Sequence, residues 1–243
     1  MRRQTTWRFI WAAVFALVIY GVWFQFASPY EVMPEARAAL ATDERVVVTT
    51  EPFLTFTPTD RTPTVGMILY SEARVPPEAY APLARRIAEA GYLVVVPPMA
   101  FNFALLSSAK ADEVIKANPD IQAWALGGHG HGGTMAARFT EGSSRIDAIV
   151  QLAAHPGDST RLDSRGVLAL SVYGSQDGLV SVLDVEAASN RLPDAAEYVL
   201  IPGANHSQFG SYGVQSGDNA ASIPPAEQQD ETAAAIIRLL RDL

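Results

Sequence analysis

A glycine-rich turn is the strongest chemical signal in the sequence. Residues 124–135 read WALGGHGHGGTM, an apolar run followed by a tight turn and then by helix-forming residues. The spacing matches the G-x-S-x-G nucleophile elbow, in which a strained bend lifts a serine above the end of a strand. On that template Gly128 and Gly132 flank the bend, and the central residue is Gly130 instead of serine. We therefore expect the shape of a nucleophile elbow without its nucleophile.

Two later segments offer the acid and the base that such a serine would need. Asp177 lies in YGSQDGLV (173–180) and His206 in PGANHSQ (202–208), each directly after a predicted strand. In an acyl-transfer triad the carboxylate orients the imidazole, and the imidazole takes the proton of the nucleophile. We expect Asp177 and His206 to be neighbours, with Gly130 marking the position of the missing nucleophile.

These residues must be positioned by regular elements, and the sequence shows strand and helix patterns that alternate along the chain. Apolar runs predict strands over 65–70, 92–96, 122–126, 146–152, 167–173 and 198–201. Helices are predicted over 77–90, from a cap at Ser107 or Ser108 to Asn118, through 135–139, over 179–191 and over 226–240. This alternation predicts an α/β fold with a doubly wound, mostly parallel sheet, and a site at the carboxyl ends of its strands.

Several motifs besides the glycine-rich turn indicate which protein family the chain resembles. They are PEAYAPL (77–83), AGY (90–92), NHSQFGSYG (205–213) and QSGD (215–218). With them, residues 65–243 resemble the small bacterial group of the α/β-hydrolase superfamily called alpha/beta hydrolase fold-5. The resemblance implies acyl hydrolysis of an ester-like small molecule, without a metal or an organic cofactor. It places the acid on Asp177, the catalytic histidine on His206, the nucleophile on Gly130 and the oxyanion N–H donor on His131.

A second departure from the family pattern follows the first long strand. The group usually has Pro-Gly-Gly there, whereas residues 71–74 read SEAR. We expect Tyr70 and Ser71 to border the oxyanion or substrate site. A carboxylate at Glu72 would repel a developing oxyanion if its side chain pointed inward. If the donor at His131 is free, replacing Gly130 by serine should create ester hydrolysis.

Three functional hypotheses follow from these residues. The first is a hydrolase-fold pseudoenzyme that is inactive or weakly active and keeps its cleft to bind a ligand or a protein. In the second, His206, oriented by Asp177, deprotonates a water in the space that the serine side chain would fill, and Ser71 is a conceivable displaced nucleophile. In the third the role is purely structural or one of protein interaction, and even the cleft has no function.

The amino terminus predicts a membrane anchor. Residues 9–30 contain no charged side chain, and about 20 helical residues cross a bilayer. Arg2, Arg3 and Arg8 precede this segment and favour a cytoplasmic amino terminus. We thus expect a stub and anchor over 1–30, a linker with leading strands over 31–64, and a hydrolase-like domain over 65–243 outside the cytoplasm, in a single-pass cell membrane protein. A cleaved signal peptide is the alternative.

The amino-acid composition limits the classes of molecule that the protein is expected to bind. The chain has a net charge of −8 and residues 31–243 carry −11, so an acidic body argues against nucleic-acid binding. The absence of cysteine excludes disulfides, thiolate zinc sites and cysteine nucleophiles. The expected partners are the lipid bilayer and a small ester-like ligand, and the sequence names no protein partner.

Overall fold

The computed structural model describes residues 7–8, 11, 13–18, 20–21 and 28–243. Within them, one eight-stranded sheet has the order β1-β2-β4-β3-β5-β6-β7-β8. The strands are β1 (Val46–Thr49), β2 (Leu54–Pro58), β3 (Val65–Tyr70), β4 (Leu93–Val96), β5 (Ala123–His129), β6 (Ala148–Leu152), β7 (Leu168–Gly174) and β8 (Glu197–Ile201). The helices are α1 (Pro34–Ala38), α2 (Ala81–Glu89), α3 (Lys110–Ala117), α4 (His131–Gly142), α5 (Val182–Ala187) and α6 (Pro225–Leu240).

The sheet is mostly parallel, which confirms the predicted fold class. Strands β3 to β8 pair in parallel, whereas β1 and β2 add an antiparallel edge beside β4. Because helices cover both faces, the central strands β3 to β6 are buried along almost their whole length. Leu83, Ile87 and Ile236 pack on one face, and Leu126 and Ile149 pack on the other.

No helix in the described part of the chain is long and apolar enough to span a bilayer. Of the segment predicted as the anchor, residues 9–30, positions 9, 10, 12, 19 and 22–27 lie outside the described residues. Directly after it, the chain is attached to the folded body. The Tyr30 amide donates to the Arg74 carbonyl (2.9 Å) and the Met33 amide donates to the Ser211 carbonyl (3.0 Å).

The predicted helix cap at Ser107 or Ser108 is wrong. Helix α3 begins at Lys110 without a side-chain cap. The hydroxyl of Tyr70 takes over this role: it accepts from the Ala111 amide (2.9 Å) and donates to the Ser108 carbonyl (2.6 Å). A partner from a distant strand has therefore replaced the local capping residue, which sequence spacing does not reveal.

Other element boundaries also differ from the predictions. The helix predicted over 77–90 starts as a 3₁₀ turn at Pro77–Tyr80 before α2. The helix predicted over 179–191 is the shorter α5, which begins at a capping box formed by Ser181 and Asp184. Strand β5 continues to His129, three residues beyond the predicted end, so the strand leads straight into the bend.

Glycines make the close approach between β5, α4 and β3 possible. A Cβ on Gly128 would lie 2.4 Å from the Gly132 carbonyl carbon, and a Cβ on Gly132 would lie 2.4 Å from the Ser71 carbonyl oxygen. Such distances are far below van der Waals contact, and the obstacles are backbone atoms. The bend therefore requires glycine at both flanking positions.

We expect Gly132→Ala to lower the free energy of unfolding by about 2–3 kcal/mol, because the added methyl collides with backbone that cannot rotate away. Gly142→Ala, in the same helix, is the matched control. A Cβ there meets no atom within 4 Å, so alanine should be neutral or stabilise by about 0.5–1 kcal/mol. Urea unfolding of the full chain in detergent measures both. Equal stability of the two variants would contradict this account of the bend.

Candidate functional site

The bend after β5 holds the first element of the site. Gly130 has φ +48° and ψ −115°, a conformation that side-chain-bearing residues rarely adopt. Its amide donates to the Leu152 carbonyl of the neighbouring strand β6 (2.9 Å). The next amide, that of His131, opens helix α4. It is one of the first N–H groups of the helix, which have no partner within the helix itself. These groups lie at the positive end of the helix dipole, where negative charge is favoured.

The loops after β7 and β8 bring the predicted acid and base together. Asp177 Oδ2 lies 3.0 Å from His206 Nδ1, and both side chains are buried. The other carboxylate oxygen, Oδ1, accepts from the amides of Leu179 (2.8 Å) and Val180 (2.7 Å). These bonds fix the rotamer of Asp177 and aim its other oxygen, Oδ2, at the imidazole.

A second acidic residue fastens the two loops to each other. Asp218 accepts from the amide and hydroxyl of Ser207 (2.8 and 2.6 Å) and from the amide of Gly178 (3.1 Å). Gly178 follows Asp177 and Ser207 follows His206, so one carboxylate sets the spacing of the acid and the base. Asp218 is a positioning residue that we did not predict to bridge both loops.

Glu72 occupies the centre of the site. Its side chain points inward, with Oε2 accepting from the His131 amide (2.8 Å) and Oε1 accepting from the Ala73 amide. The same Oε2 lies 3.5 Å from His206 Nε2. The backbone amide of Glu72 donates to the buried Tyr80 hydroxyl (2.9 Å). The donor predicted for an oxyanion, the His131 N–H, is thus bound to a carboxylate of the chain itself.

The carboxylate of Glu72 fills the space that a serine at position 130 would need. A Cβ built on Gly130 would lie 1.5 Å from Glu72 Oε2 and 3.1 Å from His206 Nε2. The expected space beside His206 therefore contains the carboxylate of Glu72. The two positions that depart from the family pattern, 72 and 130, lie against each other in the structure.

The electrostatics of the site favour a protonated His206. Burial by itself would lower the pKa of His206, but the contacts and charges of Asp177 and Glu72 outweigh it and raise that pKa to about 9. Nε2 is buried and has no hydrogen-bond partner among the described residues. At neutral pH the site therefore contains an imidazolium between two carboxylates, with Nδ1 beside Asp177 and Nε2 3.5 Å from Glu72 Oε2.

The neighbouring imidazole of His129 is neutral. Burial, followed by the charge of His206, holds the pKa of His129 well below its usual range. Its Nδ1 lies 2.8 Å from the Tyr80 hydroxyl, and its ring centre lies 4.5 Å from that of His206. The Tyr80 hydroxyl also accepts from the Glu72 amide. Tyr80, at the end of the 3₁₀ turn before α2, thereby connects His129 to the backbone of Glu72, a role that the sequence did not predict.

A cavity of about 290 Å³ opens over the site. Its lining includes Glu72, Gly130, His131, Thr134, His155, Leu179, Val180 and His206. Two residues expected at this edge are elsewhere. Tyr70 points to the start of α3, away from the cavity, because its hydroxyl bonds to that helix. Ser71 is buried outside the cavity lining, and its Oγ has no hydrogen-bond partner among the described residues.

Solved structures resemble this chain along most of its length. A protein from Thermoplasma acidophilum described as a predicted CIB-like hydrolase aligns with a TM-score of 0.61 at 15% identity, covering 84% of this chain and 99% of its own. A monoacylglycerol lipase from Paleococcus ferrophilus aligns with a TM-score of 0.59 at 14% identity, covering 78% and 98%. The esterase domain of a Rhodothermus marinus protein gives 0.57 at 12% identity, covering 81% and 98%. At sequence identities of 12–15%, this similarity shows a shared fold and nothing about activity.

No curated protein sequence is significantly similar to the chain. The sequence pattern described as "Alpha/beta hydrolase family", however, matches residues 66–230, more than half of the chain. The match covers the elbow, Asp177 and His206 together with Glu72. With the parallel sheet and the bend at Gly130, this match shows that the chain belongs to the alpha/beta hydrolase family.

Proposed function

We propose that the protein is a membrane-anchored α/β-hydrolase-fold protein in which serine-type ester hydrolysis has been lost. The observation that carries this proposal is the position of Glu72 Oε2, which accepts from the His131 amide and fills the place of a serine side chain. Gly130 offers no nucleophile, and a negative charge already holds the donor that a tetrahedral intermediate requires. An ester would find neither of the two groups that its hydrolysis needs.

The alternative in which His206 activates a water has weak support. A general base must be unprotonated at the working pH, whereas His206 is an imidazolium at pH 7 because its pKa is about 9. Glu72 also lies where the activated water would need to be. The cavity beside the imidazolium favours a different second candidate, a pseudoenzyme that binds a small ester-like ligand at the cell envelope without turning it over.

The loss of serine chemistry is tested by restoring it. Gly130→Ser alone should remain unlabelled by a fluorophosphonate probe, because Glu72 competes for the same space and keeps the His131 donor. Glu72→Ala combined with Gly130→Ser should label and should hydrolyse p-nitrophenyl acetate at least about 10²-fold faster than the wild type, as expected for a rebuilt nucleophile and oxyanion donor.

The matched control for that experiment is Glu78→Ala combined with Gly130→Ser, since Glu78 is an acid of the same segment outside the cavity lining. It should behave like the single Gly130→Ser variant. Labelling of the wild type by the probe would overturn the proposal. A folded Glu72→Ala, Gly130→Ser protein that stays unlabelled would show that the block lies elsewhere.

The imidazolium state of His206 predicts how the free energy of unfolding depends on pH. Its folded pKa of about 9 exceeds the ordinary value of about 6.5, so protonation stabilises the fold. The contribution is complete below about pH 6.5 and is lost as the pH rises through 9, amounting to a few kcal/mol at most. The difference in unfolding free energy between wild type and His206→Gln, measured by urea titration, should therefore shrink from pH 6 to 9.5. A constant difference would contradict the assignment.

The membrane anchor is a separate part of the proposal. It is supported by the uncharged segment 9–30 and by the exposure of its described apolar side chains, with Trp11, Phe15 and Leu17 each about two-thirds exposed. Side chains of this kind gain free energy when lipid covers them. The three preceding arginines favour a cytoplasmic amino terminus, with residues 31–243 outside the cytoplasm.

We expect the full chain to stay in the membrane pellet after alkaline carbonate extraction. Val14→Lys with Leu17→Lys should release it, because each central charge costs about 2.5–3.5 kcal/mol on insertion. Val214→Lys changes an exposed valine of the folded body and should have no effect.

The side of the membrane on which the body lies is tested by a fusion. Alkaline phosphatase fused at the carboxyl terminus should be active. A mature protein that lacks residues 1–27 would instead identify a cleaved signal peptide.

A further inference from the structure

The loop between β4 and α3 exposes large apolar side chains. Its residues 97–109 read PPMAFNFALLSSA and include no charged side chain. Phe101, Leu105 and Leu106 are 74%, 53% and 61% exposed. Single exposed apolar residues are ordinary on a protein surface, whereas several of them on one uncharged loop indicate a surface that another phase or molecule covers.

Hydrogen bonds order this loop. The Ala100 amide donates to Ser107 Oγ (3.0 Å), which closes the loop, and the Asn102 amide donates to the Met99 carbonyl (2.9 Å). Met99 is buried in the core. Phe101 and Asn102 have φ +54° and +56°, a left-handed conformation that costs free energy in residues with side chains. The exposure of the Phe101 ring therefore belongs to a braced, strained turn.

Arg74 joins this loop to the end of the segment predicted as the anchor, residues 9–30. Its amide donates to the Asn102 carbonyl (2.8 Å), and its Nε donates to the Ser28 carbonyl (2.9 Å). Its own carbonyl accepts from the Tyr30 amide (2.9 Å), and its guanidinium lies 5.0 Å from the centre of the Tyr30 ring. One residue thus holds the last part of the uncharged segment against the loop.

We propose that the loop of residues 97–109 docks on the surface of the bilayer, with the side chains of Phe101, Leu105 and Leu106 among the lipid headgroups and the first carbons of the acyl chains. This inference rests on the membrane anchor of the proposed function. It adds a second contact with lipid, made by the folded body itself.

The place where the anchor ends identifies lipid as the occupant of this surface. With residues 9–30 in the bilayer, Ser28 lies at the membrane boundary, and Arg74 holds Asn102 near the same level. The exposed ring of Phe101 is the next residue along the loop. Tyrosine rings and long cationic side chains are typical of this boundary, as Tyr30 and Arg74 would be.

The chemistry of the loop also suits lipid. Entry of a charged side chain into the apolar region of a bilayer is costly, and residues 97–109 carry none. Apolar side chains gain free energy when they leave water. Because the anchor keeps the membrane beside the loop at all times, a protein partner would have to displace lipid that is already there.

The loop is a docking surface and does not cover the candidate site. Residues 97–109 are all described, and none of them lines the cavity of about 290 Å³ over Glu72 and His206. Docking would orient the body, with the edge that contains the carboxyl ends of β3 and β4 towards the membrane.

The absence of cysteine from the chain allows a label at one site. The full chain with Leu105→Cys, labelled with the fluorophore NBD, is placed in phosphatidylcholine nanodiscs with and without phosphatidylcholine that has a nitroxide near its headgroup. The nitroxide should remove at least about half of the fluorescence, because interfacial segments lie about 5–10 Å into the boundary between headgroups and acyl chains. The label at Leu168→Cys should keep its fluorescence, since this exposed leucine begins β7 at the opposite edge of the sheet.

A second variant tests whether the apolar side chains cause the docking. Phe101→Ser with Leu106→Ser, in the chain labelled at position 105, should restore at least about half of the lost fluorescence, because the transfer of both side chains out of water is lost. Leu183→Ser is the matched control, since Leu183 is as exposed as Phe101 but lies on α5. It should leave the quenching unchanged. The labelled chain without these serines gives the primary result, which holds even if the double variant fails to fold.

A label in the anchor separates the failure of this inference from the failure of the anchor. Phe15→Cys should be quenched by nitroxides deep in the acyl chains. Quenching at position 15 without quenching at 105 would overturn the docking of the loop and leave the anchor intact. Quenching at 105 alone would support the docking and overturn the anchor, and quenching at neither position would overturn both.

Two further outcomes would also overturn the inference. Equal quenching at positions 105 and 168 would mean nonspecific adsorption to lipid. A blue-shifted emission at position 105 that the nitroxide does not quench would mean that protein covers the loop, either a second copy of the chain or another molecule. The loss of serine chemistry does not depend on any of these results, because fluorophosphonate labelling tests it independently.

Discussion

One hydrogen bond, from the His131 amide to Glu72 Oε2, organises the site. A buried carboxylate is stable only when charge and hydrogen bonds compensate for its lost hydration. Glu72 receives this compensation from two backbone amides and from the imidazolium of His206. Asp177 receives it from two other amides and from the opposite side of the same ring. The acidic cluster is thus stable because the bend at Gly130 presents an amide that no other group uses.

Much of the fold could be predicted from the sequence because its signals are local. The apolar runs, the glycine turn and the alternation of strands and helices lead to the parallel sheet and to the family. The segment that precedes the hydrolase-like domain, residues 31–64, was harder to interpret. Its β1 and β2 form an antiparallel pair, β2 pairs with β4 across 38–42 residues of sequence, and the Ala39 carbonyl after α1 accepts from Arg85 of α2, 46 residues away. Such pairings depend on tertiary partners that a periodic pattern does not encode.

The site could be predicted only in outline. The motifs and their positions at strand ends lead to Asp177 and His206 as neighbours. The path of one flexible side chain, Glu72, cannot be read from residue types, because it depends on the exact distance between the loop after β3 and the bend after β5. The roles of Tyr80 and Asp218 also depend on tertiary contacts: the Tyr80 hydroxyl contacts both the Glu72 amide and His129, and Asp218 accepts from Gly178, 40 residues earlier in the chain. A useful signal was present, since positions 72 and 130 depart from the family pattern together.

The shared space of Glu72 and Gly130 has a consequence for substitutions at these two positions. Two residues that exclude each other form an epistatic pair, in which the effect of one substitution depends on the state of the other. Glycine at position 130 leaves room for the acid at position 72, and the acid in turn removes the benefit of a hydroxyl at position 130. A serine elbow could therefore be built only by changing both positions together, since either change alone would gain nothing.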